Sequence, residues 1–263
     1  MTRRRFPVGK TLLYVFMSLW ALTTIYPFIW VILNSFKPRG LIRSDTFSLP
    51  IGDKFTLENY VTAFKRVDIG TAYVNSIVIS GAVTVVVMVL AGLAAYAMVR
   101  YSFRLRGFLH SMIIASMMFP VFSTIIPVFQ MQYSWGIVNT SNLFLSLLST
   151  AVPQIAGNLS FAIVVLMGYI KSIPIELEES AYIEGCNIFQ IFFKVIVPLT
   201  KPSFATVAIF SFLWSYNDLF TQMFFLRTKT QWAITFLLNQ LTSQEGTNYG
   251  LMAAAVTLVV IPI

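Results

Sequence analysis

Four glutamates, Glu176, Glu178, Glu179 and Glu184, fall within one short stretch between two long apolar segments. Grouped carboxylates can hold a metal, work as a catalytic pair, or present charge to a partner. The first two uses need companions that this chain lacks. It has one histidine, His110, and one cysteine, Cys186. That is too few ligands for a zinc site and too few thiols for an internal disulfide. A Ser-His-Asp apparatus would have to use His110, which follows a basic loop at the start of an apolar span and reads as an interfacial residue. Asp218 is the one acid inside an expected span, so a buried carboxylate pair is out of reach. Gly9-Lys10-Thr11 imitates the end of a phosphate-binding loop, but Arg4 stands where the first glycine belongs and no strand precedes it. The chain is therefore expected not to be an enzyme, to hold no metal, and to bind neither ATP nor another cofactor itself. Recognition is what remains for the glutamates.

The elements that must position them are built for lipid. Of 263 residues, 57% are hydrophobic and 11% charged, and mean hydropathy is +0.77. Soluble domains run near 45–50% apolar and about 25% charged. The net charge of +8 does not form a nucleic-acid surface. Much of it sits in Arg3, Arg4, Arg5 and Lys10 and in Arg100, Arg104 and Arg106, which flank apolar spans as inside anchors. Hydropathy places six spans, near residues 12–36, 72–99, 107–131, 143–170, 203–226 and 249–263. A crossing helix needs about 20 apolar residues. The last span is too short for that, and the expectation is that residues follow Ile263. Basic residues before the first span place the N-terminus in the cytoplasm. Residues 37–70 and 227–248 then lie outside, and the glutamates lie inside.

Between the spans, Thr56 can cap a short outer helix whose Leu57, Tyr60, Val61 and Phe64 share a face. Pro27, Pro120 with Pro127, and Pro153 interrupt spans, either as packing kinks or as bends framing a path. Gly81, Ala91, Gly92 and Ala95 would let helices approach closely. No internal repeat is evident, so residues 1–263 read as a single domain.

The glutamate stretch reads as an elbow over residues 172–198. Ser172 can cap a helix of about three turns with Pro174 in its first turn. Glu176, Glu178 and Glu179 sit near its positive end, and Gly185 can end it with a positive φ. A second helix, residues 189–197, is strongly apolar, and Pro198 and Pro202 mark the start of the fifth span. Interfacial helices favour Lys and Arg, and acids are repelled by an anionic leaflet. The elbow should therefore stand away from lipid and lie in a groove of another protein.

Glu179-Ser180-Ala181, three residues, Gly185, nine residues, then Val195-Ile196-Val197-Pro198 resembles the EAA motif of binding-protein-dependent ABC importer permeases. Ser180 replaces Ala, Val195 replaces Ile, and Val197 replaces Leu. The Glu184-Gly185-Cys186 turn, residues 55–60, Asn75-Ser76, Ala94–Ala97 and Tyr216-Asn217-Asp218 are similar to the MalG-like members of the carbohydrate uptake subfamily. The resemblance implies an all-α polytopic membrane protein of the type I importer permease fold, with six transmembrane helices and a cytoplasmic EAA coupling helix. It implies coupling roles for Glu178, Glu179, Ser180, Ala181, Tyr182, Ile183, Gly185 and Pro198. It further implies a second, MalF-like permease subunit, an ATPase dimer that carries ATP and Mg, an extracytoplasmic sugar-binding protein, and a sugar or oligosaccharide substrate. Trp214, Tyr216, Asn217 and Asp218 are candidates for the translocation path, with hydrogen bonding between helices as the other reading. Two other functions stay open on the residues alone: a membrane-embedded lipid-linked transferase and a self-sufficient secondary carrier.

Overall fold

The computed structural model describes residues 8–138, 140–245 and 248–260, and among them every regular element is helical. Arg3, Arg4 and Arg5, residues 246–247 and the last three residues of the sixth expected span lie outside the described residues. Three helices are long and apolar enough to cross a membrane, or four if one sharply bent pair is a single span. The described chain divides into two compact units, residues up to 69 with those from 238 onward, and residues 70–237.

In the first unit, the helix Val8–Ser35 is apolar all round, and its most apolar stretch is entirely uncovered. It packs near its end on the short helix Tyr249–Val260. Asn248 caps the latter, its Oδ1 accepting from the Leu251 N–H at 3.2 Å. The helix Glu58–Arg66 follows Thr56, whose hydroxyl accepts from the Glu58 N–H at 3.1 Å. Its expected apolar stripe points away from the rest of the unit. Asn59 and Ala63 are buried, whereas Leu57, Val61 and Phe64 are exposed. Asn59 decides this by donating to the carbonyls of Ser35 at 2.8 Å and Lys37 at 2.9 Å.

The second unit is built on the helices Ile69–Arg100 and Leu143–Lys171. Val83, Val87, Ala91 and Ala95 recur every fourth residue and are fully buried, one stripe of the first helix. They join a core with Ala162, Leu166, Ile170, Ile196 and Val207. Gly92 lets helices approach as expected, since a Cβ there would lie 2.9 Å from the Phe204 ring; Gly81 has nothing within 4 Å. The helix Leu143–Lys171 changes character along its buried face. Ser146, Ser149, Thr150, Gln154 and Asn158 come first along it, and Ala162, Ile163, Leu166 and Ile170 follow.

Two of the expected spans are broken. Residues 107–131 form two helices, Arg106–Ser116 and Val121–Ser134. Pro120 lies at the break in an extended conformation, and it also disfavours helical geometry in Phe119 before it. Pro27, Pro127 and Pro153 sit inside continuous helices. The fifth expected span is the helix Lys201–Asn217, then a break at Asp218, then the short helix Leu219–Phe225. A further helix, Ile234–Glu245, occupies part of the segment expected as an outer connection.

Candidate functional site: the elbow and the broken helix

The elbow helix runs Glu176–Ile183, just over two turns and shorter than expected. Ser172 does not cap it. That residue ends the preceding helix, and its hydroxyl donates back to the Tyr169 carbonyl at 2.7 Å. The C-terminal end matches expectation. Gly185 has φ +84°. Its N–H donates to the Tyr182 carbonyl at 3.0 Å, and the Cys186 N–H donates to the Ala181 carbonyl at 3.1 Å. These paired bonds form the Schellman closure, which needs a left-handed residue at this position. Ala181 and Cys186 both pack on the core beneath it.

The second elbow helix begins with a capping box. Asn187 Oδ1 accepts from the Gln190 N–H, and Gln190 Oε1 accepts from the Asn187 N–H, each at 2.9 Å. The run Asn-x-x-Gln carries that signal in the sequence. The helix then widens into a π turn, Phe192–Ile196, before Pro198. Proline offers no donor to the carbonyl four residues earlier, and a wider turn accommodates the loss. From Ile188–Leu199 the chain bends by 81° into Lys201–Asn217.

The expected coupling residues separate into two groups. Glu179, Ser180, Tyr182, Ile183, Gly185 and Pro198 are exposed, with Tyr182 at 68% and Ile183 at 85%. Glu178 points the other way and is buried. One carboxylate oxygen is ion-paired with the Arg100 Nε, and the other accepts from the Tyr96 hydroxyl at 2.9 Å. Arg100 also donates to the Ile173 carbonyl at 2.9 Å. The sequence contains this pairing only as an arginine and a glutamate far apart, so no local spacing announces it.

The candidate path residues lie at the break in the fifth span. Asp218 bonds in two directions: Oδ1 accepts from the Thr221 N–H at 3.1 Å, and Oδ2 accepts from Gln154 Nε2 at 3.0 Å. Gln154 Oε1 accepts from the Ser215 hydroxyl at 2.6 Å. Gln222 Nε2 donates to the Ser215 carbonyl at 3.2 Å, and the Thr235 hydroxyl donates to the Tyr216 carbonyl at 2.7 Å. The carbonyls freed by the break are thus met by side chains, as an apolar setting requires. Tyr216 is buried, whereas Trp214 and Asn217 are exposed. Trp214 stands edge-on to Phe161, with ring centroids 4.9 Å apart. Gln154 and Gln222 were missed by the hydropathy reading, which averages single polar residues into an apolar window. Among the described residues no group of three metal-ligating side chains occurs.

Comparison with known proteins places the chain. The model of the binding-protein-dependent transport system inner membrane component family matches residues 87–263. The diacetylchitobiose uptake system permease protein of Streptomyces coelicolor is 31% identical over 253 residues, covering 95% of this chain and 81% of that protein. The arabinooligosaccharides transport system permease protein of Halalkalibacterium halodurans is 28% identical over 265 residues, covering 100% of this chain and 92% of that one. The fold is similar to a chain in the crystal structure of a bacterial ABC transporter involved in import of the acidic polysaccharide alginate. The TM-score is 0.78 at 22% identity, over 100% of this chain and 95% of that chain. None of these three is described as a transferase or a self-sufficient carrier.

Proposed function

This chain belongs to the family of binding-protein-dependent transport system inner membrane components, and on that premise we propose that it is the permease subunit of a bacterial ABC sugar importer. It pairs with a second permease to enclose the pore, and the elbow docks in a cleft of a cytoplasmic ATPase. Sugar arrives from an extracytoplasmic binding protein. Exposure of Tyr182 and Ile183 on the elbow helix carries the docking reading. Covering each contributes roughly 1.5–3 kcal/mol, and the polar Glu179 lies beside them. The N-terminus is cytoplasmic in this arrangement.

Trp214 and Asn217 line the sugar path, with Tyr216 and Asp218 holding the helix break behind them. One observation supports this assignment: the break interrupts a span at a polar network, with Trp214 and Asn217 exposed beside it.

A photo-crosslinker at position 182, in membranes holding the whole transporter, tests the docking. Adducts with the ATPase are expected, and adducts with phospholipid alone would refute it. Gly185→Asp adds a side chain where φ is +84°. It is expected to leave the protein in the membrane and abolish uptake; uptake at the normal rate would count against the lever.

A further inference from the structure

The elbow is joined to the helix Ile69–Arg100 by buried groups, and the other end of that helix is joined to the chain that closes the broken span. The Arg100 and Glu178 side chains are 11% and 8% exposed. A buried ion pair contributes little net stability over an apolar pair of the same shape. It does fix geometry, because both partners must stay in register or remain uncompensated. Here the guanidinium holds two parts of the elbow at once, the Glu178 carboxylate and the Ile173 carbonyl. Tyr96, four residues before Arg100 and so on the same face, donates to the free carboxylate oxygen. Its ring also meets Phe192 of the second elbow helix, with centroids 5.4 Å apart. Gly92, one turn further, is crowded by Phe192 and Phe204. These contacts tie the elbow to this helix.

At the opposite end, Asn75 Nδ2 donates to the carbonyls of Thr230 at 3.0 Å and Trp232 at 3.1 Å. The Ser76 hydroxyl accepts from the Ile234 N–H at 2.8 Å. Thr235, the next residue, bonds the Tyr216 carbonyl at the break. Ser76 and Tyr96 are separated by about 30 Å of helix at 1.5 Å per residue.

We propose that Tyr96 and Arg100 are positioning residues that make the elbow and the helix Ile69–Arg100 turn as one body, and that Asn75 and Ser76 carry this turn to the Thr230–Thr235 segment and the break at Asp218. The inference rests on the docking role proposed above. Spatial continuity alone does not establish coupling, so the test measures coupling itself.

The full chain is purified with its partner permease and ATPase and placed in proteoliposomes. Sugar uptake per ATP hydrolysed and ATPase co-purification are both measured. Glu178→Gln keeps the shape and removes the charge. It is expected to retain normal ATPase co-purification and to lower uptake per ATP roughly tenfold, within the usual range of coupling between sites. Arg100→Glu combined with Glu178→Arg is expected to recover part of that loss. Asn75→Ala, which touches neither elbow nor ATPase, is expected to lower the same ratio. Unchanged uptake per ATP in Glu178→Gln overturns the joint. Loss of ATPase co-purification in proportion to uptake also overturns it, since the pair then only props up a docking surface. A normal ratio in Asn75→Ala overturns transmission to the far end. Failure of the unsubstituted chain to co-purify with any ATPase would instead overturn the docking role, and the joint with it.

Discussion

Gly250 sits where a methyl group has no room. A Cβ there would lie 2.7 Å from Asn59 Nδ2 and 2.8 Å from its Oδ1. Asn59 in turn ties the end of the first helix to the segment that follows, through the Ser35 and Lys37 carbonyls. Gly250→Ala forces that amide aside and leaves buried groups unpaired, at a cost of about 1–3 kcal/mol. In detergent-solubilised protein the expected fall in Tm is roughly 2–4 °C per kcal/mol. Gly81→Ala is the matched control, with nothing within 4 Å of the added carbon; its Tm is expected to hold or rise slightly, because alanine favours helix. Asp218 tests the other polar cluster. Asp218→Asn preserves shape, but if its oxygen keeps the cap on the Thr221 N–H, its NH2 faces the Gln154 NH2. Turning Gln154 over relieves that clash and removes the acceptor used by Ser215. Uptake is expected to fall while ATPase co-purification holds; loss of co-purification would count against Asp218 as a support of the path.

At the scale of elements, the second elbow helix depends on its cap. Asn187→Ala removes one half of the reciprocal Asn187–Gln190 pair, and N-cap losses cost about 1 kcal/mol. Amide exchange over residues 188–191 is expected to quicken while the helix Ile69–Arg100 keeps its protection, and equal protection in both proteins would show that tertiary packing alone holds this turn. The elbow was legible in the sequence because its parts are local: a glycine that must take positive φ, acids at a helix start, and a fixed spacing to Pro198. The breaks at Pro120 and Asp218 were less legible. Hydropathy averages over a window, and one residue of altered backbone does not change an average. Nor could composition separate Gly92, pressed by two rings, from Gly81, which touches nothing. The apolar stripe of the helix Glu58–Arg66 was legible and points outward, with Leu57, Val61 and Phe64 exposed, but the opposite face was not. Asn59 and Ala63 turn inward through contacts with Ser35, Lys37 and Gly250, which no local pattern announces. The Arg100–Glu178 pair lay beyond any local signal, since it exists only once the helices are packed.

For the molecule as a whole, the surface is matched to lipid. Leu12, Phe16, Trp20 and Leu22 on the first helix are each more than half exposed, and side chains of this size recur on nearly every other helix. Burial in hydrocarbon removes them from water, and backbone satisfaction within helices permits it. The proposed sidedness rests on charge. Basic residues beside the first span favour an inside N-terminus, and the topology proposed from it has the elbow in the cytoplasm and the segment around Phe47 outside. A thiol can read this directly, because Cys186 is the one cysteine in the chain. In a Cys186→Ser background, Ile183→Cys introduces a thiol at a position 85% exposed, and Phe47→Cys one at a position 79% exposed. A membrane-impermeant maleimide is expected to label the Phe47→Cys protein in intact cells, and the Ile183→Cys protein only in inside-out vesicles. Adding the ATPase should protect the latter thiol and leave the former reactive. Labelling of the Ile183→Cys protein from outside would reverse the assigned topology. Labelling from inside without protection would keep the topology and remove the elbow from the docking surface, so one pair of substitutions separates where the elbow lies from what it binds.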